Sequence, residues 1–144
     1  MDRIEDCISF LTGKAMQQVT RRAKEKLGVH GVTPVQYAVL KLLWGTDGLK
    51  ASDLVQRLRL DSATITGVVD RLERDRLIER RADAEDRRVQ RLFLTEAGSA
   101  LQRPLDAAMD DLNMEADRAL GADATALKGA LARLGDPTNW PKGT

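Results

Sequence analysis

Residues 61–77 read DSATITGVVDRLERDRL, and the fold of this stretch decides how the rest of the chain is read. Its apolar residues are Ile65, Val68, Val69 and Leu72. That is the i, i+3, i+4, i+7 spacing of one helix face. Asp61 or Ser62 suits the N-cap. The opposite face carries Ala63, Gly67, Asp70 and Arg74, flanked by Thr64, Thr66 and Arg71. A merely solvated helix would carry long charged residues along its whole outside. Here the first two turns are small or hydroxylated and the arginines come later. Small side chains let a helix backbone approach a surface closely. Hydroxyls such as those of Ser62, Thr64 and Thr66 meet base edges or phosphates, and arginines clamp the flanking backbone.

Just upstream, residues 51–58 give a second short helix, with Ala51, Leu54, Val55 and Leu58 on one face and Ser52 and Asp53 at its start. A break at residues 59–61 joins the two. At this point two readings stand side by side: a helix-turn-helix whose second helix is the reader, or an ordinary helical hairpin in a core. The residues that follow favour the first. Residues 77–81 and 89–94 both read as short strands, the second with Val89, Arg91 and Phe93 on one face and Gln90, Leu92 and Leu94 on the other. Between them lies a polar turn, residues 82–88, that ends in Arg87 and Arg88. A helix-turn-helix followed by a charged hairpin is a winged helix. An arginine on the wing tip can enter a minor groove, where negative potential is concentrated.

With these pieces in place the chain resembles the multiple antibiotic resistance regulator (MarR) family. Members share a wing with aspartate, any residue, arginine, then a strand ending Leu-Thr and a Glu-x-Gly helix start. Asp86, Arg88, Leu94, Thr95, Glu96 and Gly98 match that pattern, and TPVQYAVLKLL at residues 33–43 resembles the family's second helix. The resemblance covers residues 4–134 and is strongest from 33 to 98. It implies a mainly α fold with a small β-hairpin wing, a winged helix-turn-helix flanked by N- and C-terminal dimerisation helices. It also implies a twofold dimer whose two winged helices straddle a pseudo-palindromic operator in double-stranded DNA.

The composition fits one soluble, helix-rich chain. The 144 residues are 42% hydrophobic and 31% charged, enough for a real core. Aromatics make up only 3%, which leaves no cluster for stacking single strands or RNA bases. No apolar run approaches the roughly 18 residues of a membrane span, and no N-terminal signal pattern is seen, so a cytoplasmic protein with no membrane partner is expected. A lone cysteine excludes an internal disulfide and fits a reducing compartment. The net charge of +1 is uneven: residues 50–94 carry +2 and residues 95–136 carry −4. The acidic part therefore lies outside the reading module.

The remaining segments read as helices. Residues 4–27 repeat apolar positions at threes and fours, from Ile4, Ile8 and Leu11 to Ala23 and Leu27. Thr33 and Pro34 start the next helix, with Val35, Val39, Leu42 and Leu43 inward. Thr95 caps another long helix with Leu101, Leu105, Ala108 and Leu112 on its stripe, and Pro104 inside it should kink it. A last helix runs through Leu134. Residues 1–144 read as a single domain: 33–95 is the winged helix-turn-helix, 1–30 and 96–136 are dimerisation helices, and 137–144 is a tail. Within that tail, Trp140 is either loose or packed on a partner subunit. The stripes of the first and last helices are too long for the small module to cover, and a second copy would bury them.

The expected DNA-binding residues are Ser62, Ala63, Thr64, Thr66, Gly67, Arg71, Arg74, Asp86, Arg87 and Arg88. Arg88 and Asp86 also read as a solvated surface pair of little energetic worth. Arg71 and Arg74 read either as phosphate ligands or as partners of Asp70 and Asp75, and Asp70 needs an arginine partner to avoid repelling DNA. The resemblance implies a small, often aromatic or phenolic, ligand between the dimerisation helices and the winged helix. Phe10, Leu11, Tyr37, Trp44, Leu105 and Met109 are the candidate pocket. It also implies a second possibility, since some members sense organic peroxides through a first-helix cysteine supported by tyrosines. Cys7 stands about there, but Phe10 and Thr20 occupy the tyrosine positions, and a free cysteine in a helix stripe is also a small hydrophobe. One His and one Cys make no metal site, no cofactor motif is present, and no nucleophile–base pair suggests an enzyme. The expected function is a dimeric, ligand-responsive transcription repressor. The alternatives are a peroxide sensor using Cys7 and, in another class, a protein-interaction dimer that has lost DNA binding.

Overall fold

Seven α-helices and one β-hairpin make up the computed structural model, which describes residues 1–143. The chain divides into two compact units, Met1–Met109 and the residues from Asp110 onward. No helix among the described residues is long and apolar enough to cross a membrane.

The first unit holds the winged helix. Helix α2 (Pro34–Gly45) starts with a capping box: Thr33 Oγ1 accepts the Gln36 backbone N–H at 3.2 Å and the Gln36 side chain accepts the Thr33 N–H at 2.9 Å. Helix α3 spans Ala51–Leu58, and the carboxylate of Asp53 accepts the Lys50 N–H at 2.9 Å. Arg59 then adopts a left-handed conformation (φ 53°), turning the chain into α4 (Ser62–Arg74). Strands β1 (Ile78–Ala82) and β2 (Gln90–Leu94) pair antiparallel, Ile78 opposite Leu94 and Ala82 opposite Gln90.

One core joins these elements. Leu27, Val39, Leu40, Leu43, Leu54, Ile65, Val69, Leu72, Ile78, Leu92 and Leu105 are buried together. The predicted inward face of α4 is therefore the observed one. Fully burying each of these side chains stabilises the fold by about 1.5–3 kcal/mol before conformational entropy is counted.

Two helices and the hairpin differ from the sequence reading. The first predicted helix is interrupted: a 3-10 turn covers Ile4–Asp6, and α1 (Ile8–Gly28) begins after Cys7, whose backbone is extended (φ −77°, ψ 122°). Cys7 gives α1 no side-chain cap, and its backbone N–H closes the preceding 3-10 turn on Ile4 O at 3.0 Å. The long helix after Thr95 is also two helices, α5 (Glu96–Ala100) and α6 (Gln102–Leu120). A proline ring clashes with the carbonyl four residues back, here that of Ala100. The break at Leu101 places Pro104 in the first turn of α6, where a missing N–H costs little. Finally, the hairpin has a third contributor: the Leu92 N–H donates to Leu49 O at 2.8 Å, and the Gly48 N–H donates to Leu92 O at 2.9 Å.

In the second unit, α6 ends at Leu120 and α7 spans Ala124–Leu134. Lys128 on α7 bonds Asp117 on α6 at 2.8 Å. The tail folds back on the end of α7. Trp140 Nε1 donates to Leu134 O at 2.9 Å and Asn139 Nδ2 to Arg133 O at 3.1 Å. These are carbonyls that a helix C-terminus leaves unsatisfied. The tail is thus not loose up to Trp140, whose ring remains half exposed; its last residue, 144, lies outside the described residues.

Candidate nucleic-acid interface

The reading helix is capped from the residue before it. Asp61 accepts the Thr64 N–H at 2.7 Å, and that hydrogen bond holds the Asp61 carboxyl below its ordinary range. With its inner face spent on the core, α4 exposes Ser62, Ala63, Thr64 and Thr66, then Asp70, Arg71 and Arg74; Gly67 is half-buried among them. The hydroxyls and small side chains thus form one outward surface, as their spacing predicts.

The wing is built by its own carboxylates. Asp83 N–H donates to Val89 O at 2.8 Å and Val89 N–H to Asp86 O at 3.0 Å. The Asp83 side chain accepts the Asp86 N–H at 3.2 Å and Arg91 Nε at 2.7 Å, while Arg91 Nη1 reaches Gly48 O at 2.9 Å. Arg91 thereby ties the wing turn to the segment before α3. It keeps the Asp83 carboxyl below the usual carboxylate range. Asp86 in turn accepts Arg88 three times, from its backbone N–H and its Nε, both at 3.1 Å, and from its Nη2 at 3.4 Å, and its carboxyl is also held low by that pair. The Arg88 side chain is 91% exposed, so the pair contributes little to stability. Its effect is to aim a cation outward from the wing tip. Arg87, Arg71 and Arg74 are exposed and make no ion pair with a described residue.

Asp70 has the arginine partner it needs, but from an unexpected place. Arg80 on β1 binds Asp70 at 2.5 Å and Glu73 at 2.7 Å, and its backbone N–H donates to Glu73 at 3.2 Å. Arg71 and Arg74 take no part. Arg80, Asp83, Arg91 and Gly48 are absent from the sequence-derived site. The one signal that could have found the carboxylate-built turn is the Asp83-x-x-Asp86-x-Arg88 spacing, with side chains suited to bonding backbone N–H groups a few residues on.

The candidate pocket residues are placed differently from one another. Tyr37 donates to Asp106 at 2.9 Å, beside Lys41 at 2.8 Å, and packs edge-on to Trp44 with centroids 6.0 Å apart. Partial burial pushes Asp106 up, but the bonds from Lys41 and Tyr37 outweigh it, and its carboxyl lies below the ordinary value. Trp44 Nε1 donates to Gly98 O at 3.0 Å. Met109 packs on the core and Leu105 has no accessible surface, so Leu105 is core and not lining. Phe10 and Leu11 are exposed on α1. Two open grooves, one along α1 at Met16, Thr20 and Lys24 and one beside Trp140, contain none of the six.

The family model described as MarR family matches residues 32–89, the segment from the start of α2 through the wing turn. The organic hydroperoxide resistance transcriptional regulator of Bacillus subtilis (strain 168) is 32% identical over 133 residues, 92% of this chain and 89% of that protein. The chain belongs to the MarR family. Among solved structures, a probable transcriptional regulator from Pseudomonas aeruginosa is 36% identical, with a TM-score of 0.85 over 92% of this chain and 99% of that one. The PcaV transcriptional regulator from Streptomyces coelicolor, in complex with its natural ligand, is 28% identical, with a TM-score of 0.81 over 93% and 94% of the two chains. As a MarR family member with a winged helix, the chain is a DNA-binding transcription regulator and not an enzyme.

Proposed function

We propose that the protein is a homodimeric repressor, acting in the cytoplasm, that is released from a pseudo-palindromic operator by a small aromatic or phenolic ligand. The reading rests on one observation: a capped helix that exposes Ser62, Ala63, Thr64 and Thr66 stands beside a wing whose Arg88 is aimed outward by Asp86. In this reading α4 enters the major groove, Arg71 and Arg74 meet phosphates, and the wing tip enters the flanking minor groove. The two reading helices of the dimer sit about 34 Å apart, one turn of DNA.

Dimerisation is supported by apolar side chains left in the open. Ile4, Ile8, Leu11 and Val19 are exposed at the start of the chain, and Leu127 and Leu131 on α7. Light scattering at micromolar concentration should give about twice the 15.9 kDa chain mass. A monomer that still holds operator DNA at full affinity would overturn this reading. The effector half is supported by the ligand-bound PcaV relative, with Phe10, Leu11, Tyr37, Trp44 and Met109 as the residues toward which a ligand is sought.

The name of the Bacillus subtilis relative supports a second reading, a peroxide sensor using Cys7. Against it, Phe10 and Thr20 stand where supporting tyrosines would be, and the hydroxyl of Tyr37 is bonded to Asp106. Cys7→Ser is therefore expected to bind and release operator DNA like the wild type. Organic hydroperoxide that strips wild-type protein from DNA, and leaves the serine variant bound, would put the sensor in place of the repressor described above.

A further inference from the structure

We infer that Arg80 is a positioning residue for DNA binding, whose bridge to Asp70 and Glu73 removes negative charge from the outer face of the reading helix. The inference rests on α4 being the DNA-reading helix. Asp70 lies on the same helix face as Ala63 and Gly67, one turn beyond Thr66, and it is exposed. Glu73 follows three residues later, again on the adjoining surface. Two carboxylates thus stand where a phosphate backbone must pass, among the residues that bring the cations Arg71 and Arg74. Uncompensated, they would repel the duplex.

The arginine that answers them comes from the wing and not from the helix. Its Nη2 meets Asp70 at 2.5 Å and its Nη1 meets Glu73 at 2.7 Å. The Arg80 side chain is only 23% exposed, against 59% for Asp70. The guanidinium is therefore used up by its two partners and is not a spare phosphate ligand like Arg88. A planar fork can hold two carboxylates at once, which a lysine ammonium does less well. The same bridge links β1 to α4, and its charge is what the reading surface needs.

The experiment compares operator and random-sequence DNA binding across a salt series for wild type, Arg80→Gln, and the triple variant Arg80→Gln, Asp70→Asn, Glu73→Gln. Arg80→Gln should lose about tenfold in affinity for both DNAs near 0.1 M salt, with the loss shrinking as salt screens the exposed carboxylates. The triple variant should recover most of that loss, because the carboxamides keep the shape and an acceptor for the Arg80 backbone N–H but carry no charge. A merely structural arginine, or one that itself contacts phosphate, would not be rescued, and that result overturns the inference. So does Arg80→Gln binding like wild type at low salt. Thermal melts run alongside; should Arg80→Gln fail to fold, Asp70→Asn, Glu73→Gln with Arg80 retained must bind at low salt at least as tightly as wild type, and weaker binding overturns the inference. Arg88→Ala in the same series tests the wing separately: its indifference would discredit the wing contact while leaving the rescue result to stand.

Discussion

Gly98→Ala is expected to lower the melting temperature by on the order of 10 °C, the largest stability effect of a methyl group added at any of the described glycines. A Cβ at Gly98 would stand 3.0 Å from the Leu77 carbonyl carbon and closer still to its oxygen. That oxygen is not free to move aside, because it accepts the Thr95 N–H at 3.1 Å. Thr95 is itself pinned, donating through Oγ1 to Arg76 O at 2.7 Å and accepting the Gly98 N–H at 3.1 Å. Overpacking of this kind costs about 1–3 kcal/mol and more against backbone, and each kcal/mol is worth roughly 2–8 °C for chains near this size. Calorimetry of the variant decides the point. A melting temperature within a degree or two of wild type would mean that the junction between β2 and α5 yields easily. Gly48 is the second demanding glycine, with φ 79° and Phe93 against its missing Cβ.

The largest functional effects are expected from the wing and the reading helix, and they should differ in kind. Arg88→Ala should weaken binding to every DNA sequence and flatten the salt dependence by about one charge, which near 0.1 M salt amounts to roughly an eightfold loss. Narrow A·T-rich minor grooves should lose somewhat more, because they attract arginine best. Thr66→Ala should leave the salt slope unchanged and shift which operator bases are preferred, by about 1–3 kcal/mol per lost base contact; Thr64→Ala should do likewise. Salt titrations on operator and random DNA read both outcomes. Arg88→Ala binding both DNAs like wild type at every salt would show that the hairpin is no DNA-contacting wing.

The helices of the winged module were legible because periodicity and caps agreed there. Ala51–Leu58 has the predicted bounds, and the four apolar residues of α4 are the buried ones. The strands shifted by one residue at the start, which alternation alone does not fix. What stayed hidden depended on partners in other elements. Nothing local marks Arg80 as the answer to Asp70, or Arg91 as the tie between Asp83 and Gly48. Likewise, Asp106 meets Tyr37 across 69 residues and no spacing rule links them. The break at Leu101 was foreseeable in kind from Pro104, but not in position, because a helix can kink at a proline or restart just before it. Cys7 hid a break of the opposite sort, where the apolar stripe runs on and the backbone does not.

The self-bonded wing has an entropic consequence. Asp83, Asp86, Arg91 and the Val89 backbone close the turn on itself before any duplex is present. Ordering a loop at the moment of binding costs about 0.5–1.5 kcal/mol for each immobilised long side chain, along with the backbone freedom surrendered. Here that freedom is lost once, when the chain folds. A change at Asp83 or Arg91, neither of which need touch DNA, would hand the loss back to the binding step. Such a variant would keep its fold and the Arg87 and Arg88 cations of the wing tip and still grip the operator less tightly, because its finger would have to be straightened at each encounter.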